Sequence, residues 1–158
     1  MNKFVKSLAA IALLLSSISA WSEVILKNDV FKVVTLTSDN GATSEQWQTP
    51  DKILPGDKVG YQISFENTGK EAATDIVIAN PIPGNTVYVD GSAKGLNTTI
   101  EFSTDGGKSY AQPSKLFIDK NGKSVQAIAA DYTNVRWTLK KPLAIGAESS
   151  VQYAVIIK

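Results

Sequence analysis

A strict alternation of apolar and polar residues, enclosed by two turns, is the feature that most constrains how this chain folds. The stretch reads ILPGDKVGYQISFENTG and covers residues 53–69. Its apolar members are Val59, Tyr61, Ile63 and Phe65, and the residues between and after them are Gly60, Gln62, Ser64 and Glu66. A period of two puts the first set on one face of a β-strand and the second set on the other. Proline, glycine and asparagine at the two ends are typical of turns. The stretch therefore predicts a strand with one buried face.

The same period of two recurs along the chain. Further strands are predicted at residues 30–36, 76–78, 87–89, 100–103, 135–139 and 151–157. The sequences Asp105-Gly106-Gly107 and Asn121-Gly122 lie between these strands and favour tight hairpins. No stretch after residue 22 has a helical period long enough to cover a sheet, so the apolar face of one sheet has to pack against a second sheet. The chain is thus predicted to be all-β, an antiparallel β-sandwich of about seven to nine strands. The predicted core includes Tyr61, Ile63, Phe65, Ile76, Ile78, Trp137, Val151, Tyr153 and Val155.

The first 22 residues have the order of a secretory signal peptide. Two lysines precede an apolar run at residues 8–15, and small residues follow it. A membrane-spanning helix needs about 20 apolar residues, and serines interrupt this run too early. We expect cleavage after Ser22, with Ala20 as the alternative position. Residues 23–158 then form one domain, because a chain of this length usually buries a single core.

Charge and cysteine content exclude several classes of protein. Removal of residues 1–22 takes two lysines and no acid from the 16 basic and 15 acidic residues, which leaves a net charge of −1. A basic surface that would attract nucleic acid is therefore not expected. The chain has no cysteine, so it has neither a disulfide framework nor a cysteine for a lipid anchor. After cleavage, we expect no stable insertion into a membrane.

Residues 53–93 resemble a known family. The motifs that carry the resemblance are Leu54-Pro55-Gly56-Asp57, Asn67-Thr68-Gly69, Asn80-Pro81-Ile82-Pro83 and Tyr88-Val89-Asp90-Gly91-Ser92. The run is similar to the bacterial conserved repeat domain, also called domain of unknown function eleven, and residues 102–110 and 135–139 are similar to later segments of its members. The resemblance implies an immunoglobulin-like sandwich in an envelope, surface or secreted protein. It implies no catalytic residue, because the family has none established.

The chain contains no histidine, which removes the usual general base, the commonest zinc ligand and the histidine-dependent nucleophile systems. A carboxylate glycosidase is the enzyme class that remains. Its candidate acids by type are Asp75, Asp90, Glu101, Asp105, Asp119 and Asp131. Their spacing singles out no pair, and acids in the turns of a sandwich are usually solvated. We therefore predict a protein without catalytic residues and without a cofactor.

Three glycine-bearing turns offer oxygen ligands of the kind that calcium prefers. They are Asp39-Asn40-Gly41, Asp105-Gly106-Gly107 and Asp119-Lys120-Asn121-Gly122. None of them matches the twelve-residue calcium loop. Asp and Asn side chains also form turns by bonding their own backbone, and this interpretation is favoured over a metal site.

Three residues are candidates for contact with a partner. Trp47 and Tyr110 could stack on a sugar if they are exposed on one surface, or they could close the end of the sandwich and a hairpin. Ile156 points outward from the alternating strand at residues 149–158. If that strand lies at a sheet edge, it could receive a strand from a partner or from a second copy; the alternative is an inner strand paired on both sides.

The resulting functional hypothesis is a non-catalytic interaction or structural module of the bacterial cell envelope. Its partner is an envelope protein bound through loops or an edge strand. A glycan-binding module is the alternative, followed by a carboxylate glycosidase.

Export is the first testable prediction. In fractionated expressing cells, the protein should be in the periplasm or the medium, and sequencing of its N-terminus should begin at Glu23 or at Trp21. A cytoplasmic protein that keeps Met1 would contradict the prediction.

Overall fold

The computed structural model describes residues 23–158. The predicted signal peptide lies outside these residues. Eleven strands are described: β1 (Val24–Thr37), β2 (Thr43–Gln48), β3 (Lys58–Asn67), β4 (Val77–Pro81), β5 (Thr86–Tyr88), β6 (Lys94–Gly95), β7 (Thr98–Ser103), β8 (Phe117–Lys120), β9 (Lys123–Gln126), β10 (Asn134–Leu139) and β11 (Glu148–Ile157). Two single-turn 3₁₀ helices, Pro113–Lys115 and Ala129–Asp131, complete the described secondary structure. Neither they nor any other helix of this part of the chain has the length and apolarity to cross a membrane.

Two antiparallel sheets form the sandwich. The larger sheet has the strand order β2-β1-β3-β11-β5, and the short β6 also pairs with β11. The smaller sheet has the order β4-β10-β7, and β8 and β9 form a separate hairpin. The predicted all-β antiparallel sandwich is confirmed. It has more strands than predicted, because β2 is almost wholly polar and β6, β8 and β9 span only two to four residues each.

The core lies between the inner faces of the two sheets. Of the nine predicted core residues, seven are buried, and Tyr61 and Ile76 are half-buried but pack against the same cluster. The ring of Tyr153 stacks on Tyr61 of the neighbouring strand, with ring centroids 5.0 Å apart, and lies 6.0 Å from Trp137 of the opposite sheet. The alternation in β3, β10 and β11 is thus the alternation of the two faces of each sheet.

The two predicted hairpins have different outcomes. Asn121 and Gly122 both have positive φ, 58° and 77°, and join Lys120 directly to Lys123. This is the backbone of a two-residue type I′ turn, which matches the right-handed twist of the strands that it joins. The prediction of a tight hairpin is wrong for residues 105–107. These residues lie in a longer loop closed by the bridge between Phe102 and Ala111.

The last strand is an inner strand of the larger sheet. On one side β11 pairs with β3 along residues 148–156, and on the other side it pairs with β5 and β6. Between those two short pairings, the carbonyl of Ala154 accepts a hydrogen bond from the N–H of Val89 at 2.9 Å. The edge-strand hypothesis for residues 149–158 is therefore wrong, because both sides of the strand already have partners. Strand addition beside Ile156 is excluded with it.

Substitutions on the two faces of the sheets should differ greatly in cost. Replacing Phe65 or Trp137 by Ala should lower the free energy of unfolding by about 3 to 5 kcal/mol, because each change leaves a cavity in the core. Gln62→Ala and Gln152→Ala, on the outer face, should cost about 0.5 kcal/mol or less. Urea unfolding of the four variants measures both sets. Equal costs in the two sets would show that the faces are assigned wrongly.

Candidate functional site

Trp47 lies on the outer face of the larger sheet, the face turned away from the core. It is opposite Val33 in the pairing of β2 with β1, and its half-buried indole ring lies across Gly60 of β3. A Cβ atom at residue 60 would overlap this ring, so glycine provides the space that the indole occupies. Phe31 packs beside it with ring centroids 5.9 Å apart. Trp47 therefore covers part of the sheet instead of closing the end of the sandwich.

A polar groove of about 350 Å³ borders Trp47 on this outer face. Its charged lining residues are Glu45, Lys58, Asp90 and Lys94, with Ser92 and Gln152 beside them. Lys58 forms an ion pair with Glu45. The groove thus combines an aromatic ring with several hydrogen-bonding groups.

Tyr110 and Ile156 do not join Trp47 in one site. Tyr110 packs against the guanidinium of Arg136, whose carbon lies 4.2 Å from the ring centroid. Arg136 alternates with the buried Trp137, so this contact is on the outer face of the smaller sheet, opposite the face that carries Trp47. Ile156 does share a face with Trp47, but it lies three strands away, with Lys58 and Val33 between them in register. A sugar platform made by Trp47 and Tyr110 together is therefore not formed.

The candidate calcium turns use their oxygens to bond their own backbone. The carboxylate of Asp105 accepts hydrogen bonds from the hydroxyls of Ser103 and Ser109, both at 2.6 Å, and from the N–H groups of residues 108 and 109. These donors, the hydroxyl of Ser103 above all, hold the pKa of Asp105 well below its ordinary value of 3.8. Asp119 likewise accepts from the N–H of Gly122 at 2.9 Å. This is the turn-forming role.

The acids of the described residues do not form a cluster. No group of three acidic residues suited to hold a metal ion occurs between residues 23 and 158. Glu101 pairs with Arg136 at 2.7 Å and Asp131 pairs with Lys120 at 3.0 Å. The backbone N–H of Ile128 and then Lys120 lower the pKa of Asp131. The buried polar residues in this part of the chain are Asn67, Thr86 and Ser103, none of which is an acid.

The first strand leaves part of a sheet edge without a partner. β3 pairs with residues 24–33 of β1, whereas β2 pairs only with residues 32–37 on the other side. Among the described residues, no strand pairs with residues 25–31 on the side away from β3. We call residues 25–31 the open edge. In a strand, alternate N–H and C=O groups point to each side, so those of the open edge that point away from β3 are available to another strand.

Apolar side chains are exposed on both faces of the open edge. Ile25, Leu26 and Val30 are 52%, 54% and 41% exposed. Lys27 and Asp29 lie between them and form an ion pair at 2.9 Å along the outer face. Ile25 also borders a hollow of about 290 Å³ on that face. The open edge thus has unpaired backbone and apolar contact surface in the same place.

Most of the open edge lies outside the strand predicted from the sequence. The predicted strand begins at residue 30, because the charged and polar residues 27–29 interrupt a one-sided apolar pattern. Residues 25–31 place apolar side chains on both faces of the strand, so the sequence shows no one-sided alternation there. Only the pairing with β3 identifies these residues as part of a strand.

No protein-family model matches this chain, and a search of the curated proteins finds no match. The resemblance to the bacterial conserved repeat domain stays a prediction, and the interpretation of the open edge rests on its geometry.

Proposed function

We propose that this protein is a non-catalytic interaction module of the bacterial cell envelope, exported from the cytoplasm, that binds a protein partner by strand addition at the open edge. The observation that carries the proposal is the unpaired side of residues 25–31 in the described structure. This partner surface differs from the edge strand proposed from the sequence at residues 149–158, because β11 is paired on both sides.

Backbone hydrogen bonding gives the open edge its capacity to bind. A sheet edge pairs readily with any extended segment, and natural proteins usually protect such edges with charges, prolines, bulges or covering loops. Here one lysine and one aspartate are the only charged residues between 25 and 31. The exposed Leu26 and Val30 add apolar contacts for alternate side chains of an incoming strand.

The cellular location in this proposal comes from the sequence. The signal-peptide pattern of residues 1–22 supports export, and the family resemblance of residues 53–93 supports an envelope or surface setting. The absence of histidine supports a binding role over the commonest kinds of catalysis.

The test is capture of partners from envelope extract by tagged protein. Val30→Lys places a charge on the open edge, where it should abolish capture because an incoming strand would bury the lysine without a partner. Leu36→Lys is the matched control, since Leu36 is 48% exposed on the same strand but β2 pairs with it on the side that is open at residues 25–31. Both variants should fold with nearly unchanged stability, because both positions are exposed.

The proposal requires that only the edge variant loses the partner. If Val30→Lys is folded and captures the same proteins as the unmodified chain, the open edge is not the binding surface.

Binding of a glycan at Trp47 is the second candidate. The polar groove of about 350 Å³ beside its ring favours it, because aromatic rings next to hydrogen-bonding groups stack on sugars. One further variant separates the two candidates. If envelope polysaccharide is retained by Val30→Lys but not by Trp47→Ala, the groove and not the open edge is the binding surface.

A further inference from the structure

The residues of the open edge are arranged symmetrically about Asn28. Read in order they are Ile25, Leu26, Lys27, Asn28, Asp29, Val30 and Phe31. Two apolar residues and a cation precede Asn28, and an anion and two apolar residues follow it. The order of chemical types is the same in both directions, except that the charge changes sign.

The residues on each face of the strand are arranged symmetrically about Asn28. Phe31 is opposite Gly60 and Asp29 is opposite Gln62 in the pairing of β1 with β3, which places both on the outer face. Ile25 and Lys27 share that face, because side chains alternate along a strand. Leu26, Asn28 and Val30 lie on the other face.

We propose that the partner at the open edge is a second copy of this chain, an inference that rests on the proposed function. The two open edges pair antiparallel about a two-fold axis that passes between the two Asn28 residues, perpendicular to the sheet. Lys27 of each copy then lies opposite Asp29 of the other, and Leu26 lies opposite Val30. Ile25 lies opposite Phe31. Opposite charges and apolar pairs in direct cross-strand contact both stabilise antiparallel pairing.

The charges select this register over its neighbours. A shift of the two-fold axis to residue 27 puts Lys27 opposite Lys27, and a shift to residue 29 puts Asp29 opposite Asp29. Both alternatives oppose like charges and pair apolar residues with polar ones. A two-fold axis between two positions is excluded, because it would place outer-face residues opposite inner-face residues.

The length of the open edge fits the proposed pairing. Pairs centred on Asn28 run from residue 25 opposite residue 31 to residue 31 opposite residue 25. The next pair would place residue 24 opposite Lys32, whose edge is already occupied by Gln48 of β2. The symmetric segment therefore ends where the open edge ends.

The same interaction explains why charged residues occur in the middle of this edge. A lone lysine would protect an edge from pairing. The ion pair of 2.9 Å between Lys27 and Asp29 shows that the two side chains already reach each other along one strand. In the pair of copies each lysine gains a second carboxylate, so the charges favour one partner and exclude others.

Sedimentation of the processed protein over a range of concentrations tests the proposal. The unmodified protein should change from monomer to dimer as its concentration rises. Lys27→Asp and Asp29→Lys should each weaken the dimer about tenfold or more, because each creates two like-charge pairs. The double variant with both changes should recover dimerisation to near the original strength, since it restores both opposite-charge pairs in reversed order.

A single introduced cysteine tests the register. The chain has no cysteine of its own, so Asn28→Cys can form a disulfide only between two copies. Directly opposed Cα atoms in an antiparallel pair are about 4.5 to 5.5 Å apart, within reach of a disulfide. The control is Lys27→Cys, whose two copies would be diagonal neighbours about 7 to 8 Å apart, beyond that reach. Mild oxidation should link two copies of the first variant by a disulfide and leave the second variant without one.

Three results would overturn the inference: a monomer at every concentration, a double variant as weak as the single ones, or preferential linking of Lys27→Cys. An Asn28→Cys protein that stays unlinked under mild oxidation would also overturn it. In each case, the capture experiment tests the proposed function separately. If Val30→Lys loses the captured envelope proteins and Leu36→Lys does not, the open edge binds a partner other than a second copy. Equal capture by both would reject the function as well.

Discussion

The burial of Tyr153 between the two sheets is the contact on which the rest of the structure depends. Its ring stacks on Tyr61 of β3 and packs against Trp137 of β10. Its hydroxyl donates a hydrogen bond to the carbonyl of Pro81 at 3.0 Å and accepts one from the side-chain amide of Asn80 at 2.7 Å. Burial raises the pKa of Tyr153 far above its ordinary value. One side chain of β11 therefore contacts three other strands, β3 in its own sheet and β4 and β10 in the opposite sheet, and holds the two sheets together.

The unequal width of the two sheets follows from this arrangement. The smaller sheet has three strands and packs over the inner faces of β3 and β11, whereas the larger sheet extends through β1 to β2. Leu26 and Val30 of β1 remain exposed, because they lie beyond the cover of the smaller sheet. β2 pairs with only the second part of β1, so the first part is left as the open edge. The candidate site is thus a consequence of how the core is packed.

The features that depend on local alternation could be predicted from the sequence. The features that depend on which distant strands pair with each other could not. The faces of β3, β10 and β11 follow from a period of two, and the turn at Asn121-Gly122 follows from residues that adopt positive φ. The position of β11 depends on its pairing with β5 and β6. A strand at residues 87–89 is predicted, but no local pattern shows that it pairs with β11, and β6 is too short to be recognised. The ring of Trp47 packs on β3 because residue 60 is a glycine and has no Cβ atom. No local sequence pattern reveals this contact between β2 and β3.

Amide hydrogen exchange of residues 25–31 tests most directly whether the open edge binds a second strand. The amides of this segment that point away from β3 should exchange rapidly at low protein concentration and become protected as the concentration rises. Amides of β11, which is paired on both sides, should be protected at every concentration. Rapid exchange from the open edge at all concentrations would contradict pairing with a second copy. Protection at all concentrations would contradict an open edge.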